Sequence, residues 1–119
     1  MPDFANPYGM EAPRKLTDGE LAQAIRVDLA GELEAIYLYE AHVLATDNEV
    51  AKKVLQDIAD EEKEHMGELL TLLQYLQPDE ADHYREGSGE VKEMLEDLGI
   101  DPTATLKKLF GTDVEAGDD

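Results

Sequence analysis

A chain of 119 residues has room for one domain, and 42% apolar residues give that domain a core of modest size. Without cysteine there are no disulfides, iron–sulfur clusters, thiolate-held zinc or thiol nucleophiles, so any metal must be held by oxygen and imidazole. A formal charge of −19 repels nucleic acid and anionic lipid and draws in cations.

The opening MPDFANPYGM has neither the basic nor the apolar region of a signal peptide. No apolar run approaches the roughly 20 residues that cross a bilayer, so the expectation is a soluble cytoplasmic protein with no membrane partner. Residues 1–16 hold three of the five prolines and read as an irregular arm. A capping box, Thr17-Asp-Gly-Glu20, then starts a helix whose apolar spacing continues to about Ala45. A second box, Thr46-Asp-Asn-Glu49, opens another that runs to about Gln77, where Pro78 stops it.

Each helix is roughly 40 Å long at about 1.5 Å per residue, and the short break between them predicts an antiparallel hairpin. Asp79 to Gly89 is polar and rich in turn formers, and Ser88 caps an expected short C-terminal helix over Gly89–Leu98 with Gly99 as its stop. Pro102 to Phe110 offers a further turn or two, and Gly111 to Asp119 is an acidic tail. The expected fold is all-α, with a domain over 17–98 and a C-terminal turn and tail over 99–119.

The chemistry lies on the apolar stripes. Ile25, Leu29, Ile36 and Val43 fall on one line of the first helix, and Glu32 and Tyr39 share it. The second helix has Ala51, Leu55, Ile58, Leu69, Leu72 and Leu76 on its line, with Glu62 and His65 in the middle. Carboxylates so placed are costly and repel each other. Each residue alone has a simpler reading: an ion-paired Glu, or a hydrogen-bonded core His. Together they lack a cation, because Lys52, Lys53 and Lys63 point elsewhere.

A metal ion resolves the conflict. Glu62 and His65, at i and i+3, reach one ion from the same side, with Glu32 opposite. Two carboxylates and an imidazole suit Fe or Mn. One Glu plus one Glu-x-x-His is half the ligand set of a di-iron four-helix bundle. Two copies, paired about a twofold axis, would complete both the ligand set and the bundle. Tyr39 is either a core filler or a partner for a ligand, while His42 and His83 lie off the stripes as surface residues.

Glu32-Leu-Glu34-Ala with Tyr39, and Asp60-Glu-Glu-Lys-Glu-His65, closely resemble the encapsulated ferritins over roughly residues 17–98. These are two-helix ferritin-like proteins housed in encapsulin nanocompartments. The resemblance implies a ferroxidase with a di-iron centre at a dimer interface, two Fe per dimer. Glu32, Glu62 and His65 of each chain would hold the irons, with Tyr39 nearby. It further implies a homodecamer, built as a ring of dimers, and an encapsulin shell that stores the mineral.

Two features depart from the family. Gly31 stands where members often carry a Glu, leaving Glu34 alone for an additional metal site. The tail Thr112 to Asp119 does not resemble the short Gly-Ser-Leu-type docking peptide. The alternatives are an acidic helical scaffold with a static metal site, or a rubrerythrin-like or di-manganese protein. The absence of a cysteine-held second iron centre counts against the rubrerythrins.

Overall fold

The first helix begins at its capping box. Glu20 N–H donates to Thr17 Oγ1 at 3.2 Å, and Thr17 N–H donates to Glu20 Oε1 at 3.0 Å. Two backbone donors at the helix start are thereby satisfied. Arg14 adds a forked contact to the same carboxylate at 2.7 and 2.6 Å. This computed structural model describes residues 14–104 and residue 107. Most of the expected N-terminal arm, the acidic tail and much of the Pro102 to Phe110 turn lie outside the described residues. Within that range the elements are α1 (Asp18–Leu44), α2 (Glu49–Leu76) and α3 (Pro78–Asp97), with no strand among the described residues.

The second helix is capped by Asn48 rather than by Thr46. Asn48 Oδ1 accepts from the Val50 and Ala51 N–H groups, both at 3.0 Å. The Thr46 hydroxyl instead accepts from Asn48 N–H at 3.1 Å and shapes the turn before the cap. Asn is at least as good a cap as Thr, and its amide oxygen reaches two donors at once.

Pro78 ends α2 and begins α3. As the first residue of a helix it gives up no intrahelical hydrogen bond, and its fixed φ suits the position. The expected short helix over Gly89–Leu98 is therefore corrected to a continuous helix over Pro78–Asp97. The stretch assigned to turns also contains Glu80, Ala81, Arg85 and Glu86, all good helix formers, and these outweigh the glycines beside Ser88. Gly99 is the stop, as expected, with φ +77°. Ile100 N–H donates to Leu95 O at 2.9 Å and Gly99 N–H to Glu96 O at 3.0 Å, the paired bonds of a Schellman cap.

The chain divides into two compact units, Met1–Glu80 and Ala81–Asp119. In the first, α1 packs along α2. Ala22, Ile25 and Leu29 bury against Leu73, with Leu21, Met66, Leu69, Leu70 and Leu76 packed around them. The Leu73 contact sets early α1 against late α2, and Lys63 Nζ, 2.7 Å from Glu40 Oε2, sets late α1 against the middle of α2, which makes the hairpin antiparallel. Arg26 also pairs with Glu80 at the start of α3.

Candidate metal centre

The register brings the residues on the two stripes together. Glu32 lies near the middle of α1, while Glu62 and His65 lie one turn apart in α2. His65 Nδ1 stands 3.8 Å from Glu32 Oε2 and 3.6 Å from Glu62 Oε2. One ligand atom from each of the three residues lies within 4.8 Å of the other two. The His–carboxylate separations are too long for hydrogen bonds. They suit atoms that share an ion about 2 Å from each, because such atoms lie roughly 3–4 Å apart.

The electrostatics point the same way. Glu32 and Glu62 are largely buried, their side chains 25% and 20% exposed. Glu32 Oε2 is fully shielded from solvent and has no hydrogen-bond partner. An unpartnered carboxylate oxygen facing a second carboxylate lacks a positive charge. The nearest ammonium on α2 is committed elsewhere. Lys63 is paired with Glu40, and their hydrogen bond lowers the Glu40 pKa and raises that of Lys63. The cluster thus fits a divalent cation by its donor chemistry, its separations and its orphaned oxygen.

His65 is more open than a stripe of core residues would make it, at 48% exposed. On the same line of α2, Val54 is 52% exposed and Leu72 38%. This face of α2 is apolar and is not covered by α1. Of the other candidates, Tyr39 is half-buried and lies seven residues beyond Glu32, on its line. Glu34 is half-buried too, but two residues of helix turn it about 200° from Glu32, away from the cluster. Neither belongs to the group of three. His42 and His83 are exposed.

An open groove of about 340 Å³ runs beside the cluster, lined by Asp28, Gly31, Glu32 and Ala35 of α1 and by Glu62 and Leu69 of α2. The sequence reading passed over Asp28. Burial raises its carboxyl pKa above the ordinary value. Its i, i+4 relation to Glu32 was the available signal.

Comparison with known proteins places the chain in a family. Over 107 residues the chain is 43% identical to the encapsulin nanocompartment cargo protein EncC of Myxococcus xanthus, covering 83% of this chain and 82% of that protein. Its fold is similar to the crystal structure of the encapsulated ferritin domain from Pyrococcus furiosus. The TM-score is 0.70 at 36% identity, covering 82% of this chain and 97% of that one. The chain belongs to the encapsulated ferritin family.

Further matches place this encapsulated ferritin among relatives of different build. It is 37% identical over 110 residues to a ferritin-like–encapsulin shell fusion protein of Pyrococcus furiosus, covering 92% of this chain but about a third, 31%, of the fusion. Residues 19–77 match the family model described as ubiquinone biosynthesis protein COQ7. That match spans the hairpin bearing Glu32, Glu62 and His65 and stops before α3.

Proposed function

We propose that this encapsulated ferritin is a ferroxidase whose di-iron site forms when two copies pair, and that it works inside an encapsulin shell. The observation that carries the reading is the buried, unpartnered Glu32 oxygen within 3.8 Å of His65, with Glu62 completing the group. One chain offers two carboxylates and one imidazole, half of a four-carboxylate, two-histidine set. The uncovered apolar line of Val54 and Leu72 beside His65 supports pairing on this face. Assembly of the pairs into a decamer, and delivery of product to a shell, belong to the same proposal. The names of the relatives support the shell.

Fe(II) is the substrate. The acidic surface raises its local concentration. Glu32 and Glu62 bind it as anions, and anionic oxygen ligands favour the more highly charged Fe(III) product. His65 supplies a neutral nitrogen and fixes the position of the ion along α2. Each of two Fe(II) ions gives up one electron, and one O2 accepts the pair. Tyr39, on the line of Glu32, is assigned a hydroxyl contact to a ligand carboxylate. Glu34, on another side of α1, is assigned a separate, weaker cation contact. Manganese in the same ligand set is the competing occupant.

The test is an anaerobic Fe(II) titration of metal-free protein, followed by O2 addition and counting of oxidised iron by near-ultraviolet absorbance. Fast oxidation saturating near one iron per chain supports the shared site. Oxidation no faster than in a protein-free control overturns it. Stoichiometric retention of a redox-inactive metal would then leave a static staple in a helical scaffold.

A further inference from the structure

We infer that Met66 is an oxidation site beside the centre, where iron turnover converts the thioether to the sulfoxide and limits the centre's working life; this rests on the ferroxidase reading above. Met66 follows His65 directly and stands four residues after Glu62. Residues at i and i+4 of a helix are about 6 Å apart. A long side chain on a helix leans back toward the N-terminus, which for Met66 is the turn that carries Glu62. One residue of helix turns Met66 about 100° from His65. It therefore faces α1, not the uncovered line of Val54 and Leu72. There it is half-buried and packs on Ala22, Ile25, Leu29 and Leu73.

Among the described residues the other methionine is Met94, 58% exposed on α3, a helix that carries no ligand of the centre. An oxidant in bulk solvent meets Met94 more easily. An oxidant formed at the centre meets Met66 first. When two Fe(II) ions give one electron each to O2, uptake of two protons yields hydrogen peroxide. A further Fe(II) ion at the ligands gives one electron to the peroxide, which splits into hydroxide and a hydroxyl radical. The radical adds to the Met66 sulfur. The sulfur returns one electron to the Fe(III) just formed, and the added hydroxyl loses its proton. In sum, thioether and hydrogen peroxide give sulfoxide and water, and that iron ends as Fe(II). A hydroxyl radical reacts within a few molecular diameters of its origin, so nearness to the centre outweighs exposure.

The sulfoxide is polar, and it would sit against apolar side chains of both helices. Oxidation thus loosens the packing that holds Glu62 and His65 opposite Glu32. The experiment cycles the full chain through repeated Fe(II) additions in aerated buffer, with catalase present to destroy peroxide that escapes. Methionine oxidation is then read by peptide mass spectrometry. A several-fold excess of oxidised Met66 over oxidised Met94 is expected, with activity falling as Met66 is consumed. Hydrogen peroxide added to the metal-free chain should reverse that order. Met66→Leu keeps the size and apolar character of the side chain. It should match the native chain in the first cycle and outlast it in later ones.

Iron oxidised by the native chain with Met66 no more modified than Met94 would overturn the inference. So would a preference for Met66 that persists in Glu62→Ala, because the oxidant would then arise elsewhere. Equal loss of activity in Met66→Leu and the native chain would overturn the limit on working life. Iron oxidation by the native chain no faster than in a protein-free control would sink the underlying reading instead.

Discussion

Removing one charge from the centre should make the metal-free protein more stable and the metal-loaded protein less so. Glu32→Gln is the perturbation. In the native chain Glu32 Oε2 is buried without a partner and faces Glu62 and His65. An orphaned buried polar atom costs about 1–3 kcal/mol. The Glu32 side chain is a quarter exposed, at 25%, so the lower half of that range applies. Gln keeps the shape, removes the repulsion with Glu62, and offers an amide donor to the Glu62 carboxylate. The expected gain is about 1–1.5 kcal/mol.

For a domain of this size a gain of 1 kcal/mol raises Tm by about 4–8 °C. The assay is thermal unfolding by circular dichroism at pH 7, first with chelator and then with Co(II). A cation at 100 times its Kd stabilises a native site by about 2.7 kcal/mol. That gain should appear in the native chain and largely vanish in Glu32→Gln, so the order of the two melting points reverses on adding metal. A variant less stable than the native chain in chelator would refute the argument that the oxygen is orphaned. Equal stabilisation of both chains by Co(II) would refute the assignment of Glu32 as a ligand.

The other predictions concern the rest of the centre and the helix ends. Glu62→Ala and His65→Ala should each take iron capacity from about one per chain to near zero while leaving helix content intact. Capacity retained in both would sink the site. Hydrogen bonds from Arg14 and from the Thr17 backbone lower the Glu20 pKa from 4.5 to about 2. Because the folded value is the depressed one, the contribution of Glu20 is complete above about pH 4.5 and is lost as pH falls toward 2. Protection of the first-turn amides of α1, taken against the intrinsic exchange rate at each pH, should fall over that window in the native chain, and Glu20→Gln should flatten the response. In α3, an added Cβ at Gly87 or Gly89 would meet nothing within 4 Å. The double change to Ala should therefore stabilise α3 by about 0.8–1 kcal/mol per site, read as slower exchange. Faster exchange would show that the glycines serve a conformation other than the continuous helix.

Much of the hairpin was legible in the sequence because its signals are local and agree with one another. Thr17 and Glu20 are a capping box whose two bonds both form. Gly99 closes α3 because it takes a positive φ that other residues avoid. The errors fell where local signals compete. Thr46 and Asn48 are both good caps two residues apart, and only the geometry of the turn selects Asn48. In α3, Gly87, Ser88 and Gly89 read as a break, yet the helix continues through them because its remaining residues carry it. At the centre, Glu32, Glu62 and His65 stood out as charged groups on apolar lines with no cation to offset them. Asp28 did not, because an exposed Asp on a helix is ordinary until a groove connects it to something.

In the proposed function, the same placement joins metal uptake to pairing. The face that carries His65 also carries Val54 and Leu72, whose exposed apolar surface favours contact with a second copy. Against this, a twofold pairing brings Glu32 and Glu62 of each chain toward their mates, and four carboxylates without a cation repel. In the proposed dimer, bound cations reverse the sign of that electrostatic contribution while the apolar contribution stays. Affinity for the cation must then rise with protein concentration, and pairing must strengthen with cation concentration, by one and the same factor. Under the proposed function, the unpartnered Glu32 Oε2 leaves a metal, rather than a lysine, to determine when the bundle is complete. A Lys at this point would make a stable hairpin with a permanently neutralised cluster and no reason to bind iron.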